Sequence, residues 1–329
     1  MTTSLQRSRP YALFLNCFLN CVVFLKRTWR QLSVPARLLA AVGVVMFASA
    51  AFHAVVFLLS GTAWEGAVSW RKPITFGLSL GLTAVTLALI ETRLRIRPWA
   101  SWVLWGGFAV ATVAEAGLIT LQAWRGVPSH FNIATPFDAA VFSAMGQAVS
   151  VLALILVVVA VLSFTSAKPG APALTLGIRA GLVLLVLGQV LGAAIVAAGV
   201  PHMVAGDQEA LFGPDGVVLG AAGILKSPHG IALHAVQVLP LLGWLAERVP
   251  WPDARRRGAV RMAIAGYSLV LAVSIFQAYT GQAPLVLGIP ALLAALAGAG
   301  LLAVAYARVL WALVRGRPRT GTRPSAVGR

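Results

Sequence analysis

Residues 139–163 read AAVFSAMGQAVSVLALILVVVAVLS, an unbroken run without Asp, Glu, Lys, Arg or His. A hydrocarbon core roughly 30 Å thick is crossed by ~20 apolar helical residues. Inside lipid the backbone has to satisfy its own hydrogen bonds, and a helix does so within one segment. Working outward from this stretch, similar runs occur at about 38–60, 73–91, 100–123, 176–200, 229–246, 260–280 and 286–312. They are rich in Ala, Gly, Leu and Val, which suits close helix packing. The expected fold class is therefore all-α: a polytopic bundle of about eight transmembrane helices.

Composition agrees. Hydrophobic residues make up 59% of the 329 positions and charged residues 11%, whereas soluble domains carry about 25% charged residues. The runs follow at loop-length intervals, which leaves no room for a sizeable soluble or catalytic domain. The net charge of +17 would suggest nucleic acid in a soluble chain. Here the basic residues lie between apolar runs or at the chain ends, a pattern of membrane orientation. The expected partner is the lipid bilayer, with no nucleic acid. Cys17 and Cys21 are the two cysteines, so neither a disulfide framework nor a cysteine zinc site is expected in the body of the chain. Residues 11–25 are too short to span a bilayer and carry no small-x-small cleavage site. They are read as part of an N-terminal cytoplasmic or interfacial extension, 1–36.

With both termini placed in the cytoplasm, 22 of the 26 Lys and Arg residues fall inside. Only Arg71, Lys72, Arg125 and Lys226 lie outside. This predicts a multi-pass protein of the cell membrane whose polar site faces away from the cytoplasm. The second half also echoes the first. Lys72-Pro73 and Lys226-Ser-Pro228 each open a helix, and Gln122 and Gln277 each close one. The interval is 49 residues in both cases. A parallel four-plus-four repeat accounts for it, with halves 37–170 and 171–313 and a basic tail 314–329. Coincidence in low-complexity sequence remains the alternative.

Polar residues concentrate on the outer side. His130 and His202 are in outer loops and His229 is at the mouth of the sixth helix. His53 and His234 each lie roughly 8–10 Å deep. Glu115 is read as the acid deep in a helix, and such groups mark function by default. Gln122 lies two turns further on the same face, followed by Arg125. Gln147, Gln189, Gln237 and Gln277 add amides that either line a cavity or hold helices together. The outer loops GTAWEGAVSWRKP (61–73) and RGVPSHFNIATPFD (125–138) are chemically dense. Arg71, Lys72 and Arg125 run against the positive-inside bias. They either pair with Glu65, Asp138 and Glu115 or bind an anion. The loop 201–228 is either a lid or a plain connector.

Three chemistries fit these residues. In the first, His53 and His234 are axial ligands of a haem b. Arg71, Lys72 and Arg125 then hold propionates or a quinone, and Glu115, Gln122 and His130 handle the chemistry and protons. A zinc variant uses His53 and His234 with His229 or Glu115. The second is a proton-coupled small-solute transporter centred on Glu115. Against it stand the absence of a visibly broken helix and the scarcity of polar residues on the inner side. The third is a non-catalytic membrane protein, so enzymatic activity stays open.

Trp70-Arg-Lys-Pro-Ile-Thr-Phe-Gly77 and Arg125-Gly-Val-Pro-Ser-His-Phe-Asn132 resemble signatures of a family of uncharacterised bacterial polytopic membrane proteins. The resemblance covers roughly 36–312 and carries no activity. It implies only that the two outer loops form one site.

Overall fold

The computed structural model describes Val23 and residues 26–213 and 224–315. Among these, eight helices are long and apolar enough to cross a membrane. They are α1 Val34–Ser60, α2 Arg71–Glu91, α3 Pro98–Trp124, α4 Pro136–Thr165, α5 Pro172–Ala205, α6 Lys226–Ala246, α7 Asp253–Tyr279 and α8 Ile289–Arg315. The described residues form no strand. A single bridge, Leu94 with Ala167, joins the α2–α3 and α4–α5 connections. The outer surface of the helices is apolar: Leu58, Val110, Leu154 and Leu293 are all more than 60% exposed. Such a surface belongs in lipid. The chain is an integral membrane protein built as an all-α polytopic bundle. Residues 11–25, Val23 excepted, lie outside the described residues, as do Cys17, Cys21 and the tail beyond Arg315.

Each expected span is present; seven helices begin two to seven residues before their apolar runs, and α8 begins three residues after its own. Proline explains part of this. Pro98, Pro136 and Pro172 open α3, α4 and α5, where a fixed φ costs no hydrogen bond. At α7 the helix starts on Asp253-Ala-Arg-Arg-Arg, which hydropathy assigns to a loop.

Glycine sets which helices touch. A Cβ on Gly43 of α1 would stand 2.8 Å from the Gly81 carbonyl oxygen of α2. On Gly177 of α5 it would stand 2.5 Å from the Leu239 oxygen of α6, and on Gly266 of α7 2.5 Å from the Gly298 oxygen of α8. These obstacles are backbone, so the α1–α2, α5–α6 and α7–α8 pairs all depend on bare glycine. Gly77-Leu78-Ser79-Leu80-Gly81 has the Gly-x-Ser-x-Gly spelling of a nucleophile elbow, but here it is a mid-helix packing face rather than a strand-to-helix turn.

Two carboxylates fix the opposite end of the bundle. Glu91, at the end of α2, accepts bonds from Ser33 Oγ (2.6 Å), Ser101 Oγ (2.8 Å) and Trp105 Nε1 (3.1 Å). Glu247, just past α6, accepts from the backbone N–H groups of Ala173 (2.7 Å) and Leu174 (3.3 Å), and from Arg256 (3.2 Å). Each acid thus caps the start of the preceding helix. The α2 and α6 boundaries differ by 155 positions at both ends, and so do those of α3 and α7. Buried positions follow the same offset: Pro73, Gly77, Gly81, Ala84, Leu87 and Ala88 answer to Pro228, Ala232, Val236, Leu239, Leu242 and Gly243.

Candidate functional site

The polar end of the bundle is where α1, α3, α5 and α7 finish and α2, α4, α6 and α8 begin. The loop between α3 and α4 shapes it. Asn132 Nδ2 donates to the Pro128 carbonyl, and Asn132 Oδ1 accepts from Ala134 N–H, both at 3.1 Å. Phe131 adopts a left-handed φ of 56°. That turn drives its ring against α5, where a Cβ on Gly199 would sit only 2.4 Å from it. Leu211, fully buried in the short helix after Asp207, packs on the same ring. Residues 200–212 therefore cover this side; of the expected lid 201–228, the ends 201–205 and 226–228 belong to α5 and α6, and 214–223 lie outside the described residues.

Most of the polar groups singled out from sequence are committed to each other. Arg125 donates to Gln122 Oε1 and to Asp138 Oδ1 (2.5 Å). Gln122 Nε2 also reaches Asp138 Oδ1 (3.0 Å), and Thr135 Oγ1 donates to Asp138 Oδ2 (2.6 Å). The Arg125 guanidinium lies over the Phe137 ring. This network joins α3 to the start of α4, so Gln122 and Arg125 hold structure together and leave little to offer a ligand. Arg71 is likewise paired, with Glu65.

His53 is 3% exposed. Its Nδ1–H donates to the Ser49 carbonyl (2.7 Å), and its Nε2 accepts from Trp124 Nε1–H (3.2 Å). Its ring stacks on Trp70 at 5.8 Å. Both nitrogens are used, so an axial bond to haem iron or a bond to zinc would need Trp124 to lose its acceptor. The ring therefore fits that role poorly. His229 Nδ1–H donates to the Gly188 carbonyl at 2.7 Å. His234 lies further along α6, and among the described residues no hydrogen bond or ring contact joins it to His53. Among the described residues no group of three or more His, Cys, Asp or Glu gathers to hold a metal.

What remains is a cluster that sequence reading named only in part. Glu115 is 1% exposed, and neither carboxylate oxygen has a hydrogen-bond partner among the described residues. It lies nine residues from the end of α3, about 13 Å deep. The loop hangs His130 above it, with Nε2 3.7 Å from Glu115 Oε1. The His130 ring is set between Phe76 and Phe142, and its Nδ1 is 2.9 Å from Ser129 Oγ. Burial, then the charges of Lys72 and Lys226, hold its imidazole down to about 3. The ring is neutral at pH 7, so the 3.7 Å approach brings a neutral imidazole to a carboxyl group and is no ion pair. Lys72 Nζ is buried and unpartnered, and Lys226 has no ion pair among the described residues. Thr112 Oγ1 and both amide atoms of Gln237 are buried without partners at comparable or greater depth.

Lys226 stands in the sequence as an exception to the charge bias and as a helix opener, without being singled out as a site residue. Its sequence signal was the shared helix-opening motif, which puts it opposite Arg71-Lys72. Glu91 and Glu247 carried no signal, because acids at helix ends read as ordinary loop residues.

Comparison with family models, with curated proteins and with solved structures found no match.

Proposed function

We propose that this protein is a proton-coupled carrier of a small solute, with Glu115 and His130 as the proton-exchanging pair. The observation that carries this reading is the state of Glu115: a carboxyl deep in a membrane span, with neither oxygen hydrogen-bonded and an imidazole nitrogen 3.7 Å away. Burying a carboxyl without partners costs several kcal/mol. A structural acid is satisfied, as Glu91 and Glu247 are, whereas an acid that takes up and releases protons is left open. The gap to His130 is just longer than a hydrogen bond, so a small shift of the loop or of α3 closes it. The halves 37–170 and 171–313 are then two copies of one unit, in keeping with the common offset of α2/α6 and α3/α7. The site faces the extracytoplasmic side, in keeping with the basic residues at the other end. The spent nitrogens of His53 favour this reading over haem.

The test is flux in liposomes loaded with a pH-sensitive dye. A panel of small carboxylates, phosphate, amines and sugars is presented in turn. The wild-type protein is expected to move protons with at least one solute. Glu115→Gln is expected to fall to the level of protein-free liposomes while still inserting. Wild-type flux in the variant, or no proton movement with any solute, would overturn the proposal.

A further inference from the structure

The four exceptional cations at the polar end are not equivalent. Arg71 is neutralised by Glu65 and Arg125 by Asp138. Lys72 and Lys226 are left. They sit in the first turns of α2 and α6, the two helices whose boundaries share the 155-residue offset. Helix N-termini carry partial positive charge from unpaired N–H groups and favour anions. Two lysines placed there stand against both dipoles and against each other, since each lies within electrostatic range of the other or of Arg71. Glu65, the acid in range of Lys226, is already held by Arg71. Glu115 lies beyond salt-bridge distance of both lysines. Lys72 Nζ also has no contact with solvent or with any acceptor. A buried ammonium without a counter-charge is among the costliest arrangements a fold can hold. Beside it runs a narrow crevice lined by Lys72, Ser69, Ser129, Ile119 and Val127. The crevice has room for about one water molecule, so an oxyanion is met only as the flexible Lys72 side chain swings out of it toward Lys226.

We propose that Lys72 and Lys226 bind one small oxyanion, a carboxylate or phosphate group, between the starts of α2 and α6. Each half of the chain supplies one ammonium, and both helix N-termini point their positive ends toward the ligand. This rests on the carrier reading for its purpose, since the oxyanion is then the solute or part of it. Its test reads binding and not flux, so the two can fail separately.

The experiment is thermal unfolding of the full chain in nanodiscs of phosphatidylcholine alone, titrated with inorganic phosphate or with acetate. A second set of nanodiscs contains phosphatidylglycerol and no added anion. Wild-type protein is expected to gain stability saturably. Lys72→Met and Lys226→Met are each expected to weaken the effect at least about tenfold, the value of a lost charge-assisted hydrogen bond. Without anion the same two variants are expected to unfold at a higher temperature than wild type, because an uncompensated charge has been removed. Lys72→Arg is expected to keep binding. A lysine-dependent gain with phosphate or acetate identifies a free oxyanion. A lysine-dependent gain only with phosphatidylglycerol identifies a lipid phosphate as its source. No gain in either set, or a gain that survives both methionine variants, overturns the site.

Discussion

His53 shows how a single side chain can carry a functional signature and a structural role. In sequence it is a histidine within a membrane helix, at a depth matched by His234. In the structure Ser49 fixes which nitrogen carries the proton, and Trp124 occupies the other. The ring is a neutral pin between α1 and α3, roofed by Trp70. His53→Ala is therefore expected to cost about 2–4 kcal/mol of stability, through lost packing and two lost hydrogen bonds. It should leave the visible absorption spectrum unchanged. A Soret band in wild type that the variant lacks would sink this assignment. Glu115 presents the reverse case. Its depth was legible because acids are scarce in the membrane. Its lack of partners was not, because that depends on where the loop after α3 places His130, fifteen residues on.

At the level of helices, the apolar runs located all eight spans, and their errors have a common cause. Hydropathy measures where lipid begins. A helix begins where backbone geometry allows, which is at Pro98, Pro136 and Pro172, or on the charged first turn of α7. Which helices pair was less legible, since every run contains glycine and only some glycines touch a neighbour. Gly177 is decisive, because its missing Cβ leaves room for the Leu239 carbonyl. Gly300, on α8, has nothing within 4 Å of the same position. Gly177→Ala is expected to force α5 from α6 and to lower the unfolding temperature or abolish a monodisperse peak in detergent. The chemically identical Gly300→Ala should behave as wild type or slightly better, given alanine's higher helix propensity. Equal behaviour of the two would show that the α5–α6 contact is not set by backbone proximity.

For the molecule as a whole, orientation is the property with the widest reach. It came from charge counting alone, and the fold adds only that the exceptions share one end. With Cys17 and Cys21 replaced, a cysteine at Val127 is expected to react with a membrane-impermeant maleimide in intact cells. A cysteine at Arg95 is expected to react only after the membrane is opened. The opposite pattern would invert the protein and place the Lys72–Lys226 end in the cytoplasm. The common offset of α2 with α6 and of α3 with α7 was half legible: two proline and two glutamine positions betrayed it. The rest lay in positions whose residues differ, such as Gly77 and Ala232 or Gly81 and Val236, while the helix boundaries agree.

The contact of Phe131 with Gly199 bears on all of this. The ring is a peg seated in a notch of α5, and the peptide that carries it also carries His130. The first half of the chain is thereby latched to the second through the very loop that reaches Glu115. Any rocking of one half against the other has to drag the imidazole along its stroke, opening or closing its distance to the carboxyl as it goes. On the carrier reading, one aromatic side chain would gear proton exchange to large-scale motion, with no separate transmission required.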